Sequence, residues 1–240
     1  MDYDLESLNN EYNKVGHLTW LESDFKRSWL QSSRDLFDDD SLSAKVPTPK
    51  NLEVYALVSG LEFSKKMQDI VANLQLEIDK IIGPSITRYW VEPKNLGVEY
   101  CVFKWPDQQW DVEIKEGVCA VLREVNFTPF NLYICGIQIN RDGCVILKGY
   151  DQFQTIQNIR KKIKSSLQFL PEKQSRWAHV PIGRILDPVG ESKFIKLQEF
   201  VSANHAMHFH TEMIDDAKFV HEKQWYMVQR EVIMRIYQGE

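Results

Sequence analysis

The sequence predicts an α+β protein: two lobes built on antiparallel sheets with flanking helices, preceded by an N-terminal helical extension. Three observations carry this. Apolar, strand-like runs alternate with amphipathic helical patterns twice between residues 50 and 240. Asn140-Arg141-Asp142-Gly143 stands between two apolar runs with the Asp-Gly signature of a hairpin turn. Residues 3–37 instead place apolar side chains at spacings of three and four, the helical period.

In chain order, Leu5, Leu8, Tyr12 and Val15 form one helical stripe and Leu18, Leu21, Phe25, Trp29 and Leu30 a second, with Gly16 expected to separate them. The aromatic side chains Trp20, Phe25 and Trp29 suit a packing face, and a protein partner docking on these helices is the alternative. Asp38, Asp39 and Asp40, followed by Pro47 and Pro49, read as an acidic linker. Residues 1–45 are therefore expected to be an extension and linker dispensable for folding, and residues 50–240 the main domain.

The first unit then has a strand at Leu52–Val58 and a helix marked by Met67, Ile70, Val71, Leu74 and Ile78. A strand at Gly97–Phe103 and a helix near Val112–Val125 complete it. The second has strands at Phe130–Ile139 and Cys144–Lys148, a helix within Asp151–Leu170 and a strand at Trp177–Leu186. A helix at Ser192–Ala203 and strands at Met207–Ile214 and Trp225–Tyr237 follow.

Composition narrows the function classes. With 43% hydrophobic and 26% charged residues the chain is of ordinary globular type. The net charge is −5, and residues 1–50 hold ten acids against six bases, so the rest is nearly neutral. That argues against a long nucleic acid as partner, because phosphate neutralisation by a basic stripe supplies most of such affinity. Arg160, Lys161, Lys162 and Lys164 cluster, but they alternate with Ile156, Ile159, Ile163 and Leu167 as the solvated face of an amphipathic helix does. No apolar run nears the ~20 residues of a membrane span. The N-terminus has no basic start and apolar core, and Cys101, Cys119, Cys135 and Cys144 stand singly without CxxC spacing. A cytoplasmic protein with reduced core cysteines is expected.

The order of elements from Phe130, ending in Trp177-Ala178-His179-Val180-Pro181-Ile182-Gly183-Arg184, resembles the second half of the two-histidine (2H) phosphoesterases, a family that includes the bacterial RNA 2′,3′-cyclic phosphodiesterases. The resemblance covers residues from about 50 onward. It implies two strands that each present His-x-Thr/Ser to one cleft, since residues i and i+2 of a strand share a side. One histidine takes a proton while the other gives one, the hydroxyls hold phosphate oxygens, and no cofactor or metal is required.

Mapped onto this chain, the second motif keeps His179 but puts Pro181 at the hydroxyl position. The first falls on Leu96-Gly97-Val98-Glu99-Tyr100, with Gly97 for the histidine and Glu99 for the hydroxyl residue. Pro181 brings neither a side-chain donor nor an N–H, and ionised Glu99 repels phosphate. Glu99 could instead pair with His179. Arg184 matches a basic residue beyond the second motif. Its strand parity is opposite to that of His179, so it reaches the cleft only through a bulge at Pro181 or Gly183. The resemblance thus implies a divergent protein that binds or slowly hydrolyses a nucleotide or cyclic phosphate through a degenerate site, with His179 and Glu99 as candidate catalytic groups; a catalytically silent scaffold for protein interaction is the alternative.

Two further histidine patterns carry less. His17-Leu18-Thr19-Trp20 matches His-x-Thr literally but lies in helical periodicity. His208, His210 and Glu212 share one strand face and could ligate a metal, against the plainer expectation of an exposed polar face.

Overall fold

The computed structural model describes residues 5–238; residues 1–4, at the start of the expected N-terminal helical pattern, and 239–240 lie outside the described residues. In chain order the elements are α1 (Leu5–Thr19), α2 (Arg27–Arg34), β1 (Asn51–Gly60), α3 (Lys65–Ile82), β2 (Arg88–Trp90), β3 (Gly97–Lys104), α4 (Val112–Arg123), β4 (Phe130–Ile139) and β5 (Cys144–Asp151). They continue with α5 (Thr155–Ser166), β6 (Val180–Ile185), α6 (Glu191–Asn204), β7 (His208–Ile214), β8 (Asp216–Gln224) and β9 (Gln229–Tyr237).

Two antiparallel sheets form, in the orders β3-β1-β8-β9 and β2-β6-β5-β4-β7. The α+β class is as expected, but the sheets are not the two sequential halves of the chain. β2 leaves the first half to pair with β6, and the C-terminal β8 and β9 return to pair beside β1. β8 was not legible as a strand: its apolar Ala217, Phe219 and Val220 are interleaved with Lys218, His221, Glu222 and Lys223. It is nonetheless central in its sheet.

Each sheet is apolar on both faces. In β1, Tyr55 and Leu57 join the main core, whereas the alternating Val54, Ala56 and Val58 form a separate cluster with Leu61, Val102 and Val220. In β5, Val145 and Leu147 face the main core, and Cys144 and Ile146 face the other way, onto Leu8 and Tyr12 of α1. Strand alternation thus leaves each sheet a second buried face. For the second sheet, α1 covers part of it.

The N-terminal segment is packed more closely than expected. Gly16 does not divide two helices; it lies within α1, where a Cβ would come 2.9 Å from the Gln138 side chain, so glycine permits the helix to approach β4. Tyr12 is fully buried, and Thr19 Oγ1 donates to the Ile139 carbonyl at 2.8 Å. Phe25, Leu30 and Phe37 belong to the main core, with Phe25 edge-on to Phe194. Arg34 donates to the Leu186 carbonyl and the Asp187 carboxylate. Trp20 also packs on Phe194, while Trp29 is covered by Lys26 and Arg141. These contacts are those of a packing face, and they tie residues 5–45 to the body of the protein. Burial of this extent does not fit an extension that can be removed without loss.

Candidate functional site

Between the second faces of the two sheets lies a cleft of about 980 Å³. Gly97, Glu99, His179, Pro181 and Arg184 all line it. The two motifs face one cleft, but from strands that are not paired neighbours. Gly97 and Glu99 belong to β3 of the first sheet, Pro181 and Arg184 to β6 of the second, and His179 immediately precedes β6, so the two walls come from different sheets.

Arg160 links the two walls, as does Gln174, which exchanges hydrogen bonds with the Val102 backbone. Arg160 Nη2 donates to the Glu99 carbonyl and to the Trp177 carbonyl, at 2.8 and 2.7 Å, and its Nε donates to the Tyr100 carbonyl. Arg160 is therefore not on the solvated face of α5, although Lys161, Lys162 and Lys164 are exposed. Its position four residues after Ile156 and three before Ile163 puts it on the buried stripe, which was the signal available in the sequence.

Arg184 reaches the cleft through a bulge. Cys144 pairs with Arg184 and Val145 with Gly183, but Ile146 pairs with Pro181, so Ile182 is an extra residue in β6. Without it Arg184 would face the core. Gly183 is required next to this bulge, because a Cβ there would lie 2.1 Å from the Trp90 ring.

The guanidinium arrives already engaged. It donates to Asp142 Oδ2 at 2.9 Å, to the Tyr226 hydroxyl and to the Ser33 hydroxyl. Tyr226 and Met227 both adopt left-handed backbone conformations, at φ 63° and 56°, in a turn beside the cleft. Glu222 of β8 holds that turn by accepting the Met227 N–H at 3.0 Å.

The cleft's ionisable groups are displaced from their usual ranges. Burial pushes the Glu99 carboxyl up to about 7, against the opposing pull of Arg160 and Lys173. Burial likewise raises Glu222 to about 8, reinforced by Glu99 and offset by the backbone N–H groups it accepts. His179 moves the other way, down to about 4, through burial first and then the positive charges of Arg160 and Arg184. His179 stands edge-on to Trp177, and its Nδ1 is buried without a hydrogen-bond partner. No hydrogen bond or ion pair joins Glu99 to His179 among the described residues, so the dyad considered from the sequence does not form. Glu222, Asn95, Trp105 and Trp225, which also line the cleft, were not found by sequence reasoning.

The other histidine patterns resolve elsewhere. His17 lies exposed in α1. Glu212 is buried, not exposed: its oxygens accept the N–H and hydroxyl of Ser64, the N-cap of α3, at 2.7 and 2.6 Å, and His210 Nε2 lies 2.9 Å from the second oxygen. This is a helix cap held from β7. Among the described residues no cluster of three metal-ligating side chains occurs, and no helix is long and apolar enough to cross a membrane.

No family model matches the chain, and no curated protein matches it in sequence. Its fold, in contrast, matches solved structures over most of its length. E. coli LigT complexed with phosphate aligns over 80% of this chain and all of its own, with a TM-score of 0.53 and 9% identity. LigT complexed with 3′-AMP gives a TM-score of 0.53 at 10% identity over 78% of this chain and 99% of its own. A conserved protein of Agrobacterium tumefaciens reaches a TM-score of 0.59 over 82% of this chain and 90% of its own, at 10% identity. The two sheets facing each other across one cleft therefore have the fold of LigT, the fold of the 2H phosphoesterases.

Proposed function

We propose that the cleft binds a small phosphorylated ligand, a nucleotide or cyclic phosphate, and hydrolyses it slowly at best. The observation that supports this reading is that Gly97, Glu99, His179, Pro181 and Arg184, which the resemblance maps to the motif positions, line one cleft from two facing walls. LigT, which shares the fold, has been crystallised with phosphate, ATP and 3′-AMP.

The chemistry left in the cleft is unequal to a fast reaction. Neutral His179 can accept a proton from an attacking water, but a group brought down to about 4 is a weak base. Glu99, raised to about 7, keeps its proton below neutrality and can give it to the departing ribose oxygen. The water–phosphorus bond forms and the phosphorus–ribose oxygen bond breaks, with one proton taken by His179 and one released by Glu99. Gly97 and Pro181 bring no side-chain donor to steady the phosphate, and Arg184 is shared with Asp142. Losing one positioned acid or base typically costs about 10²–10⁴ in rate.

The test is a panel of 3′-AMP, ATP and 2′,3′-cyclic nucleotides, measured for binding by calorimetry and for turnover. Binding is expected, with weak turnover confined between limbs near pH 4 and pH 7, where His179 is neutral and Glu99 protonated. Rapid turnover that survives His179→Ala would remove the assignment of the base. Absence of both binding and turnover across the panel would favour a silent scaffold.

A further inference from the structure

Five side chains among the described residues carry a buried nitrogen or oxygen with no hydrogen-bond partner, and two of them, Asn95 and His179, line the cleft. They come from opposite walls. His179 precedes β6, whereas Asn95 ends the short 3₁₀ turn Pro93–Asn95 that leads into β3. Native structures seldom leave such atoms unpaired, so an orphan beside a cavity points to a group that a ligand supplies.

Asn95 is the more informative of the two. It is 4% exposed, and its amide is oriented by a neighbour: Arg230 Nη1 donates to Asn95 Oδ1 at 2.6 Å. Because the guanidinium has no acceptor, that contact assigns the oxygen and leaves Nδ2 as the unpaired donor. Arg230 is itself held, donating to the Met227 and Lys94 carbonyls at 2.7 and 3.1 Å. The amide is thus pre-set and does not need to be ordered by the ligand. Asn95, Gly97 and Glu99 line the cleft at a spacing of two, and Gly97 places no side chain between the other two. An unpaired donor in this place wants an acceptor, and on the reading proposed above the acceptor the ligand brings is a phosphate oxygen.

We propose that Asn95 is a ligand-contacting residue of the cleft, its amide nitrogen donating to a phosphate oxygen of the bound nucleotide and its orientation set by Arg230. It supplies from the first wall a neutral donor of the kind that Glu99 and Pro181 no longer provide as hydroxyls. Arg230 acts through Asn95 and is a positioning residue.

Calorimetry with inorganic phosphate and 3′-AMP on the wild type, Asn95→Asp and Asn95→Leu tests this. Asn95→Asp keeps an oxygen for Arg230, and so retains the turn, but replaces the donor with an acceptor. Both ligands are expected to weaken by about tenfold or more while the melting temperature holds, as loss of a hydrogen bond to a charged group implies. Asn95→Leu, which has no charge, should weaken both ligands in the same direction. If the wild type binds and either folded variant binds both ligands equally well, the Asn95 contact is overturned while the functional reading stands. If the wild type binds neither ligand, the contact falls, and the functional reading falls with it when ATP and the 2′,3′-cyclic nucleotides fail to bind as well.

Discussion

Arg184 Nη1 lies 2.9 Å from Asp142 Oδ2, so the guanidinium that the extra residue Ile182 turns into the cleft is already paired with a carboxylate there. Asp142 comes from the tight turn between β4 and β5 and also accepts the Cys144 N–H at 3.1 Å through its other oxygen. The same residue therefore fixes the hairpin and occupies the cleft's arginine.

Asp142→Asn separates these two roles. The amide oxygen can still accept the Cys144 N–H, while the charge that neutralises Arg184 is gone. Affinity for a cyclic phosphate is expected to rise by roughly tenfold at low salt, with the gain shrinking as salt screens the freed guanidinium. An unchanged affinity across salt concentrations would mean that Arg184 does not meet the ligand.

The N-terminal segment is expected to be indispensable to the fold. Leu30 is fully buried in the main core, and Leu30→Ala should cost about 2–5 kcal/mol by denaturant titration. Deleting residues 1–45 removes Tyr12, Phe25, Leu30 and Phe37 from their buried sites and should abolish the cooperative melt. A truncated protein that melts like the full chain would restore the view of this segment as a detachable extension.

The sequence made legible those features that local chemistry dictates. Asp142-Gly143 announced its hairpin, and the opposite parity of His179 and Arg184 made a bulge at Pro181 or Gly183 the condition for Arg184 to reach the cleft; the extra residue is Ile182, between the two. What stayed hidden depends on distant partners. β8 carries too many charges to read as a central strand, yet Lys218 is neutralised by Asp216 at 2.9 Å and Glu222 is satisfied by the 226–227 turn. Arg160 looked solvated because the carbonyls that receive it belong to β3 and to the segment before β6. The acidic, proline-containing stretch after Leu36 resembled a free linker, although Phe37 and Pro49 pair across it. Asn95 stands two residues before Gly97, a spacing that offered a signal, but it lies in the turn Pro93–Asn95 outside the motif.

The stability that the two buried carboxyls contribute should be lost as pH rises from about 4.5 to about 8, the last part of it through Glu222. Glu99 and Glu222 hold their protons more tightly in the folded protein, to about 7 and 8, than at their ordinary value of 4.5. The folded state therefore binds more protons across that window, and its advantage is lost as pH climbs through it. His179, lowered from 6.5 to about 4, acts in the opposite sense and only below 6.5. Between about pH 6.5 and 8.5 the carboxyl effect stands alone. Glu222→Gln keeps an acceptor for Met227 and should flatten the decline in denaturation midpoint over that range. A decline identical to wild type would remove Glu222 as its source.

The same titration should govern ligand affinity. A 2′,3′-cyclic phosphate carries one charge throughout this pH range, so any change in its binding comes from the protein. Near pH 5.5 Glu99 is neutral and, as a carboxylic acid, can donate to a phosphate oxygen as a hydroxyl would; near pH 8.5 it is ionised and repels it. Wild-type affinity should therefore drop between these conditions. Glu99→Thr restores a hydroxyl without a charge, so its affinity should exceed wild type by about tenfold near pH 8.5 and differ little near pH 5.5. Pro181→Thr adds a donor on the other wall and should improve binding at both. The two substitutions separate charge from hydrogen-bonding capacity: a gain that depends on pH belongs to Glu99, and one that does not belongs to Pro181. If neither variant gains at either pH, the position of these residues in the cleft has no bearing on phosphate, and the cleft serves another ligand.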